Sequence, residues 1–208
     1  MAVKIEIYSD VICPWCFLGK RRLEESVQAL GKKTEVEISY LPFELNPSTP
    51  LEGVDRKKYL EDKYGGSIHS AHHRLEQMGK EAGIHYDFES RQKIPNTFNA
   101  HRVIWLAEKE GVQAKVVEAL FSAYFTEARD LGDKKVLADA AASAGLNRAK
   151  VEKLLEGETG TEEVRALEEK AYNLGITGVP FFVFNGKSAV SGAQSQETFN
   201  KILAELTA

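Results

Sequence analysis

The chain has 208 residues, of which 43% are hydrophobic, and a formal net charge of −4. Its lysines and arginines are dispersed, which argues against a nucleic acid or an anionic membrane surface as partner. There is no apolar leader and no apolar run of about 18 residues, so we expect no membrane segment and a cytoplasmic location. The composition predicts a folded protein, built as one large domain or as one domain with an insertion.

The only two cysteines, Cys13 and Cys16, lie where a predicted strand meets a predicted helix. Apolar and polar residues alternate over residues 3–8, as in a short strand, and a helical pattern follows the cysteines. Pro14 suits the first position of this helix, because its missing N–H would be unpaired there in any case. Cys13 is therefore predicted at the N-cap, where free backbone N–H groups and the helix dipole stabilise a thiolate.

Cys16 follows one helical turn later and is predicted to point into the core. It shares an apolar stripe with residues spaced three or four positions apart, namely Gly19, Leu23, Val27 and Leu30. An exposed Cys13 beside a shielded Cys16 is the arrangement expected of an attacking and a resolving thiol. We therefore interpret the pair as a redox-active dithiol.

Other uses of a Cys-x-x-Cys pair fit this sequence less well. A structural zinc site needs about four ligands, and the chain has no second cysteine pair. A c-type haem would require histidine directly after Cys16, where Phe17 stands. We expect no metal and no tightly bound cofactor at the pair.

The middle of the chain is predicted to be helical. After a first helix ending near Gly31, residues 35–40 alternate as a second strand, and three prolines between residues 42 and 50 mark a boundary. Residues 51–157 are predicted as an inserted helical domain of about five or six helices, separated by glycines typical of helix C-termini. Its predicted N-caps are Asp55, Ser67, Asn96 or Thr97, Asp133 and Asn147.

The insertion is expected to cover the cysteines as a lid, because the chain leaves the first domain after the second strand and returns to it just before the last hairpin. Residues 84–95 are its least regular stretch, and their aromatic side chains predict a loop packed on a surface. We expect Tyr86, Phe88 and Phe98 to line an apolar cleft above Cys13.

The C-terminal part is predicted as a helix over residues 162–174, a hairpin and a last helix capped by Ser195. The hairpin signal is the apolar run 181–184, followed by Asn-Gly and a second β-prone run over residues 187–191. The whole order is β-α-β, a helical block, then α-β-β-α. Residues 1–50 and 158–208 would together form one domain around the insertion.

Five short motifs occur in one order along the chain. They are residues 9–16 (SDVICPWC), 42–47 (PFELNP), Asn96-Thr97 with 100–102 (AHR), 178–180 (GVP) and 192–194 (GAQ). With these motifs the sequence resembles the DsbA-like thioredoxin superfamily, specifically its FrnE-like branch. That branch is related to 2-hydroxychromene-2-carboxylate isomerases and kappa-class glutathione transferases, and the resemblance runs through nearly the whole chain.

The resemblance implies an α/β protein with a thioredoxin fold and an inserted all-helical domain. It places the active-site loop at residues 13–16, including Trp15, and the family's cis-proline at Pro180, opposite that loop. In cis, the backbone of Val179 would face the cysteines and bind an extended substrate as an added strand does. The related isomerases and transferases usually carry serine in place of Cys13, so this departure favours redox chemistry.

Several histidines are also candidates for a role. His69, His72 and His73 share one face of a predicted helix, but no carboxylate or cysteine completes a metal set nearby. A solvated or domain-facing helix surface is therefore favoured over a metal site. His101 is interpreted as a hydrogen-bonded packing residue between insertion and core rather than a catalytic base.

Charged residues flank the cysteine pair. Asp10 either relays protons to the thiols or ties the loop backbone, and the sequence leaves both readings open. Lys20, Arg21 and Arg22 are predicted on the solvated face of the first helix, where ion pairs contribute little stability.

The predicted reaction is thiol-disulfide exchange, in which Cys13 attacks a disulfide and Cys16 displaces the product. The substrate would be a protein or small molecule with a disulfide or dithiol, with glutathione as a candidate co-substrate. A reducing cytoplasm favours a reductase or isomerase role over net oxidation. The alternatives are a glutathione-dependent isomerase or transferase, and a non-enzymatic peptide-binding or chaperone-like module. Native substrate, redox direction and oligomeric state are left open.

Overall fold

The computed structural model describes residues 2–31, 34–65 and 68–207, apart from the side chains of residues 63 and 64. None of its described helices has both the length and the apolar character needed to cross a bilayer. In chain order the elements are β1 (Val3–Ser9), α1 (Pro14–Ala29), β2 (Val36–Pro42), β3 (Val54–Asp55), α2 (Arg56–Tyr64), α3 (His69–Glu81), β4 (Lys93–Ile94), α4 (Phe98–Lys109), α5 (Gln113–Phe125), α6 (Lys134–Ser143), α7 (Arg148–Glu156), α8 (Thr161–Asn173), β5 (Phe181–Phe184), β6 (Ser188–Ser191) and α9 (Gln196–Thr207).

A four-stranded sheet with the order β2-β1-β5-β6 lies at the centre. β1 pairs in parallel with β2, from Val3 opposite Val36 to Ser9 opposite Pro42, and antiparallel with β5. The helix between β1 and β2 is α1, which confirms the predicted β-α-β unit. Because β1 is an inner strand, its side chains Val3, Ile5 and Ile7 are all buried.

The predicted hairpin is confirmed between β5 and β6. Asn185 and Gly186 have φ values of 50° and 66°, the left-handed backbone that a two-residue hairpin turn of this kind needs. Beyond the hairpin, the Ser195 hydroxyl accepts a hydrogen bond of 3.2 Å from the Thr198 N–H. Ser195 therefore caps α9, as predicted.

The segment predicted as the insertion, residues 51–157, contains helices α2 to α7 and a two-residue ladder between β3 and β4 that the sequence pattern did not indicate. Three predicted N-caps accept backbone hydrogen bonds in their helices: Asp55, Asp133 and Asn147. Before α4, the Asn96 side chain accepts from the Phe98 N–H. The remaining predicted cap, Ser67, lies outside the described residues.

Two contacts attach the insertion to the sheet and α1. Phe17 of α1 stacks on Phe121 of α5, with ring centroids 5.0 Å apart and an angle of 7° between the rings. The side-chain amide of Gln113 pairs with Tyr40, accepting from its N–H and donating to its C=O, both at 2.9 Å. Since Tyr40 is in the edge strand β2, Gln113 satisfies backbone groups that would otherwise be unpaired.

Candidate active site

Cys13 occupies the N-cap of α1, and Pro14 is the first residue of the helix, as predicted. Cys13 is 4% exposed, and its Sγ lies 3.6 Å from the carbonyl oxygen of Val179. The expectation of an exposed Cys13 is wrong, because the insertion and the turn at Val179 cover this end of the helix. Cys13 instead faces a cavity between them.

Cys16 is 2% exposed, so its predicted position toward the core is confirmed. Both cysteines are free thiols. Burial raises the pKa of the Cys16 thiol well above its usual range, and hydrogen bonding to Cys13 raises this pKa further. Cys16 is therefore held as the neutral thiol.

The Val179–Pro180 peptide bond is cis, the isomer expected from the sequence. Pro180 is buried, and its carbonyl oxygen accepts a hydrogen bond of 2.8 Å from the Gly192 N–H. Gly19 explains how closely α1 passes this turn, since a Cβ at Gly19 would lie 3.3 Å from the Pro180 ring and 3.0 Å from the Phe182 ring. The glycine thus allows the cysteine helix and the proline turn to meet.

Tyr86 of the insertion holds the active-site loop directly. Its hydroxyl donates a hydrogen bond of 2.7 Å to the Pro14 carbonyl oxygen, and its ring stacks on Phe88 at 5.0 Å. Burial raises the pKa of Tyr86, so the phenol stays protonated and acts as a donor. Trp15, next to Pro14, is 37% exposed and lines the cavity.

The cavity beside Cys13 has a volume of about 580 Å³ and lies between the cysteine loop, the Val179 turn and the insertion. Phe88 lines it, as predicted. Tyr86 was also predicted to line it, but it is not among the lining residues and stacks on Phe88 instead, so that prediction is wrong. Phe98 was predicted to line this cleft, but it is not among the lining residues. The Arg165 guanidinium lies 3.7 Å from the Phe98 ring centroid instead. Because α4 turns this ring toward α8, the prediction for Phe98 is wrong.

Two arginines of the insertion, Arg56 and Arg91, also line the cavity. Arg91 is 6% exposed and its guanidinium lies 4.6 Å from the Tyr124 ring centroid, while its Nε donates to the Asp87 carbonyl oxygen. Burial lowers the pKa of both arginines. The sequence patterns did not indicate that either arginine lies at the site, although a single arginine in the aromatic loop 84–95 was a signal for Arg91.

His72 is the third basic side chain on the cavity wall. It stacks on Phe88 at 4.3 Å, and its Nε2 lies 3.5 Å from Arg56 Nη2. Burial, followed by the charges of Arg56 and Arg91, lowers the pKa of His72 to about 4. The imidazole is therefore neutral near pH 7. His69 and His73 are exposed, and no group of three metal-binding side chains occurs among the described residues.

Asp10 is fully buried in the loop before α1. Its two carboxylate oxygens accept from the Ile12 N–H at 3.4 Å and from the Leu45 N–H at 2.8 Å, and one lies 3.6 Å from His101 Nε2. Burial lowers the pKa of His101, but Asp10 outweighs this effect and the net shift is upward. His101 belongs to α4, so the pair joins the insertion to the active-site loop.

The charged residues on α1 differ from their prediction. Lys20 is only 3% exposed, and its Nζ lies 2.8 Å from Glu24 and 2.6 Å from Glu118 of α5. Arg21 also binds Glu118, and Arg22 donates to the Ala193 carbonyl oxygen. The predicted solvated face is wrong for Lys20, because α5 packs over it.

Four features together define a thioredoxin-fold dithiol protein. They are the first strand, the helix that begins at Cys-Pro-Trp-Cys, the cis-proline turn that faces it, and the helical insertion. The family model described as the DsbA-like thioredoxin domain matches residues 4–204. The chain belongs to the DsbA-like thioredoxin domain family.

Known proteins similar to the chain agree with this assignment. It is 30% identical over 206 residues to the uncharacterized protein YwbO of Bacillus subtilis, covering 99% of this chain and 98% of YwbO. The crystal structure of the probable DsbA oxidoreductase SCO1869 from Streptomyces coelicolor is 33% identical, with a TM-score of 0.91 over 98% of this chain and 89% of that one.

The fold extends to a related enzyme class. A structure of 2-hydroxychromene-2-carboxylate isomerase has a TM-score of 0.74 at 19% identity, covering 98% of this chain and 96% of that one. This likeness concerns the fold and is consistent with the FrnE-like branch.

Proposed function

We propose that this protein is a thiol-disulfide oxidoreductase in which Cys13 attacks and Cys16 resolves. The observation that carries the proposal is the asymmetry of the pair. Cys13 lies at the N-cap of α1 and faces the cavity, whereas Cys16 lies inside the helix with a raised pKa. A thiolate at a helix N-terminus is stabilised by free N–H groups, so Cys13 is the nucleophile.

The reaction proceeds in two exchanges. The Cys13 thiolate attacks one sulfur of a disulfide, a Cys13–substrate disulfide forms, and the first substrate thiolate leaves. Cys16 then loses its proton to the departing thiolate and attacks the Cys13 sulfur, which releases the second thiolate. Two electrons pass to the substrate, and Cys13 and Cys16 become a disulfide that a dithiol or another thiol reduces again.

The surrounding residues position these steps. The Tyr86 hydroxyl holds the Pro14 carbonyl, and the Val179 carbonyl oxygen lies beside the attacking sulfur. Both Asp10 carboxylate oxygens accept hydrogen bonds from loop N–H groups. We assign to Asp10 the role of tying the loop rather than relaying protons.

The proposed setting is the cytoplasm, with a reductase or isomerase role in a reducing thiol pool. No tightly bound cofactor is needed for the exchange, and glutathione is the proposed co-substrate that restores the dithiol. Protein and small-molecule disulfides are both substrates of this chemistry.

The test is turnover of a chromogenic aromatic disulfide with dithiothreitol as reductant, comparing wild type with Cys13→Ser and Cys16→Ser. We expect wild type to turn over and Cys13→Ser to be inactive. Without dithiothreitol, reduced Cys16→Ser should accumulate one mixed disulfide per chain, detected by mass. Turnover by Cys13→Ser at the wild-type rate would overturn the proposal.

A glutathione-dependent isomerase or transferase is the second candidate, favoured by the largely apolar cavity beside Cys13. Such an enzyme would activate a bound thiol and need no redox change at Cys13. This candidate would be favoured if conjugation or isomerisation persisted in Cys13→Ser and if no disulfide turnover depended on Cys13. A peptide-binding or chaperone-like module would show binding in all three proteins and turnover in none.

A further inference from the structure

We propose that the cavity beside Cys13 selects small disulfides that carry carboxylate groups, and that Arg56 and Arg91 bind the carboxylate. The inference rests on the proposed thiol-disulfide exchange and adds the substrate class. Both arginines come from the insertion, whereas the reacting sulfur comes from the start of α1.

The charge on the cavity wall is the first observation. Among the residues that the structure describes, those lining the cavity include Arg56, Arg91 and His72 but no aspartate or glutamate. Since His72 has a pKa of about 4, the two guanidinium groups supply the positive charge at neutral pH. A cavity with this wall attracts anions and repels cations.

The second observation is the lack of a carboxylate partner for either arginine. Within the described part of the chain, neither Arg56 nor Arg91 forms an ion pair with an acidic side chain, although fifteen such pairs occur elsewhere. Arg91 is nevertheless 6% exposed. The charge of Asp87 favours the charged form of both arginines, but within the described residues no acidic side chain contacts either guanidinium directly. A ligand carboxylate in the cavity would add charge-assisted hydrogen bonds to them.

Aromatic rings fix where the Arg91 guanidinium lies. Its centre is 5.0 Å from the Phe88 ring centroid, 4.6 Å from that of Tyr124 and 4.9 Å from that of Phe125. The Nε bond to the Asp87 carbonyl oxygen holds the stem. The group is therefore held in place before a ligand binds, which reduces the entropy lost on binding.

Size and access indicate a small molecule. The volume of about 580 Å³ is within the range of small-molecule sites. Because Cys13 is only 4% exposed and faces the cavity, a small disulfide that enters the cavity reaches its sulfur more readily than a disulfide on the surface of a folded protein.

The step is an exchange between the dithiol and such a disulfide. Cys13 and Cys16 lose two electrons and two protons, and the carboxylated disulfide gains them as two thiols. The S–S bond of the substrate breaks, and the Cys13–Cys16 bond forms. With protein reduced beforehand, this single turnover needs no other reductant.

The experiment uses three disulfides of similar size and different charge, namely dianionic 3,3′-dithiodipropionate, neutral bis(2-hydroxyethyl) disulfide and dicationic cystamine. The rate at which each oxidises the reduced full chain is followed by mass and divided by its rate with dithiothreitol, which removes intrinsic reactivity. Wild type is compared with Arg56→Gln, with Arg91→Gln, and with Arg74→Gln as matched control. Arg74 is exposed on α3 and does not line the cavity.

We expect wild type to prefer the dianion over the neutral disulfide by about tenfold in normalised rate, the value of one hydrogen bond to a charged group. Arg56→Gln should lose that preference, so that its normalised rates with the dianion and with the neutral disulfide agree within about twofold. Arg74→Gln should match wild type. If Arg91→Gln does not fold, as circular dichroism would show, the Arg56 result decides.

Equal normalised rates for the three disulfides in wild type would overturn the inference while leaving the exchange chemistry intact. The inference would also be overturned if Arg56→Gln kept the preference for the dianion, or if Arg74→Gln lost it as well. Failure of all three disulfides to oxidise the protein would overturn the proposed function itself, so the two failures are distinguishable.

Discussion

The two sides of the cavity differ in what they contribute. The side formed by the loop before α1 and the Val179 turn supplies the thiols and apolar neighbours such as Ile12. The side formed by the insertion supplies the charges, Arg56 and Arg91. Under the two proposals above, reactivity belongs to one region and electrostatic selectivity to the other, so each should be altered by substitutions that leave the other in place.

The same two regions are joined by buried contacts rather than by a loose hinge. Phe17 stacks on the insertion, Gln113 pairs with the edge strand, and Lys20 binds Glu118. Closely packed interiors transmit a change at one side to the other. We therefore expect substitutions in these contacts to affect the stability of both regions together, and the following predictions test how far the separation of roles holds.

The largest effect is expected from Phe17→Ala, which removes a ring that is 2% exposed and stacked between both regions. The loss of burial and the cavity left behind should lower the free energy of unfolding by about 3–5 kcal/mol. Urea unfolding followed by circular dichroism measures it. Leu174→Ala is the control, since Leu174 is 59% exposed and should change stability by less than about 0.5 kcal/mol. Similar values for the two variants would refute the joining role of Phe17.

A smaller loss is expected from Gln113→Ala, because the Tyr40 N–H and C=O would lose both side-chain partners. Leaving buried backbone groups unpaired should cost about 2–3 kcal/mol. Hydrogen exchange of the Tyr40 amide should also accelerate. Gln113→Glu is the informative companion, since it keeps an acceptor for the N–H but has no donor for the C=O. An unchanged Tyr40 exchange rate in Gln113→Ala would show that the edge strand does not need the insertion.

Tyr86→Phe should lower stability by about 1 kcal/mol, the usual contribution of one hydrogen bond. The bond lost is the one of 2.7 Å to the Pro14 carbonyl oxygen. Thermal unfolding measures the change, and the single-turnover oxidation rate of Cys13 reports whether the loop has shifted. If the rate falls while stability is unchanged, the insertion positions the thiol without stabilising the fold.

A pH-dependent effect is expected at His72, whose pKa is lowered to about 4 by burial and by Arg56 and Arg91. In the unfolded chain its pKa is about 6.5, so the unfolded state binds more protons between pH 6.5 and pH 4. The free energy of unfolding should therefore fall as pH falls through this window, and His72→Gln should reduce the fall. NMR titration of the imidazole should give a midpoint near 4, and Arg56→Gln should raise it. A midpoint near 6.5 in wild type would contradict the effect of the two arginines.

Local patterns in the sequence predicted much of the fold and the reacting pair. The helix start at Pro14, the cap at Asp133 and the Asn185-Gly186 turn are decided by backbone groups a few residues away. The stripe that turns Cys16 into the core is likewise a property of one helix. The resemblance carried by the distant motifs was needed to assign the cis isomer at Pro180, whereas the proline-rich boundary and the helical pattern placed the insertion.

The sequence by itself determined the order of the central strands and their flanking helices, and the place of Cys13 and Cys16 at a helix start, because these follow from local backbone preferences and side-chain periodicity. Only the tertiary structure decided that Cys13 is buried, that Lys20 is paired with Glu118, and that Arg56 and Arg91 face one cavity. Burial and charge pairing depend on residues far apart in the chain. No local pattern encodes them, so the environment of the thiols appears only once the insertion is packed against α1.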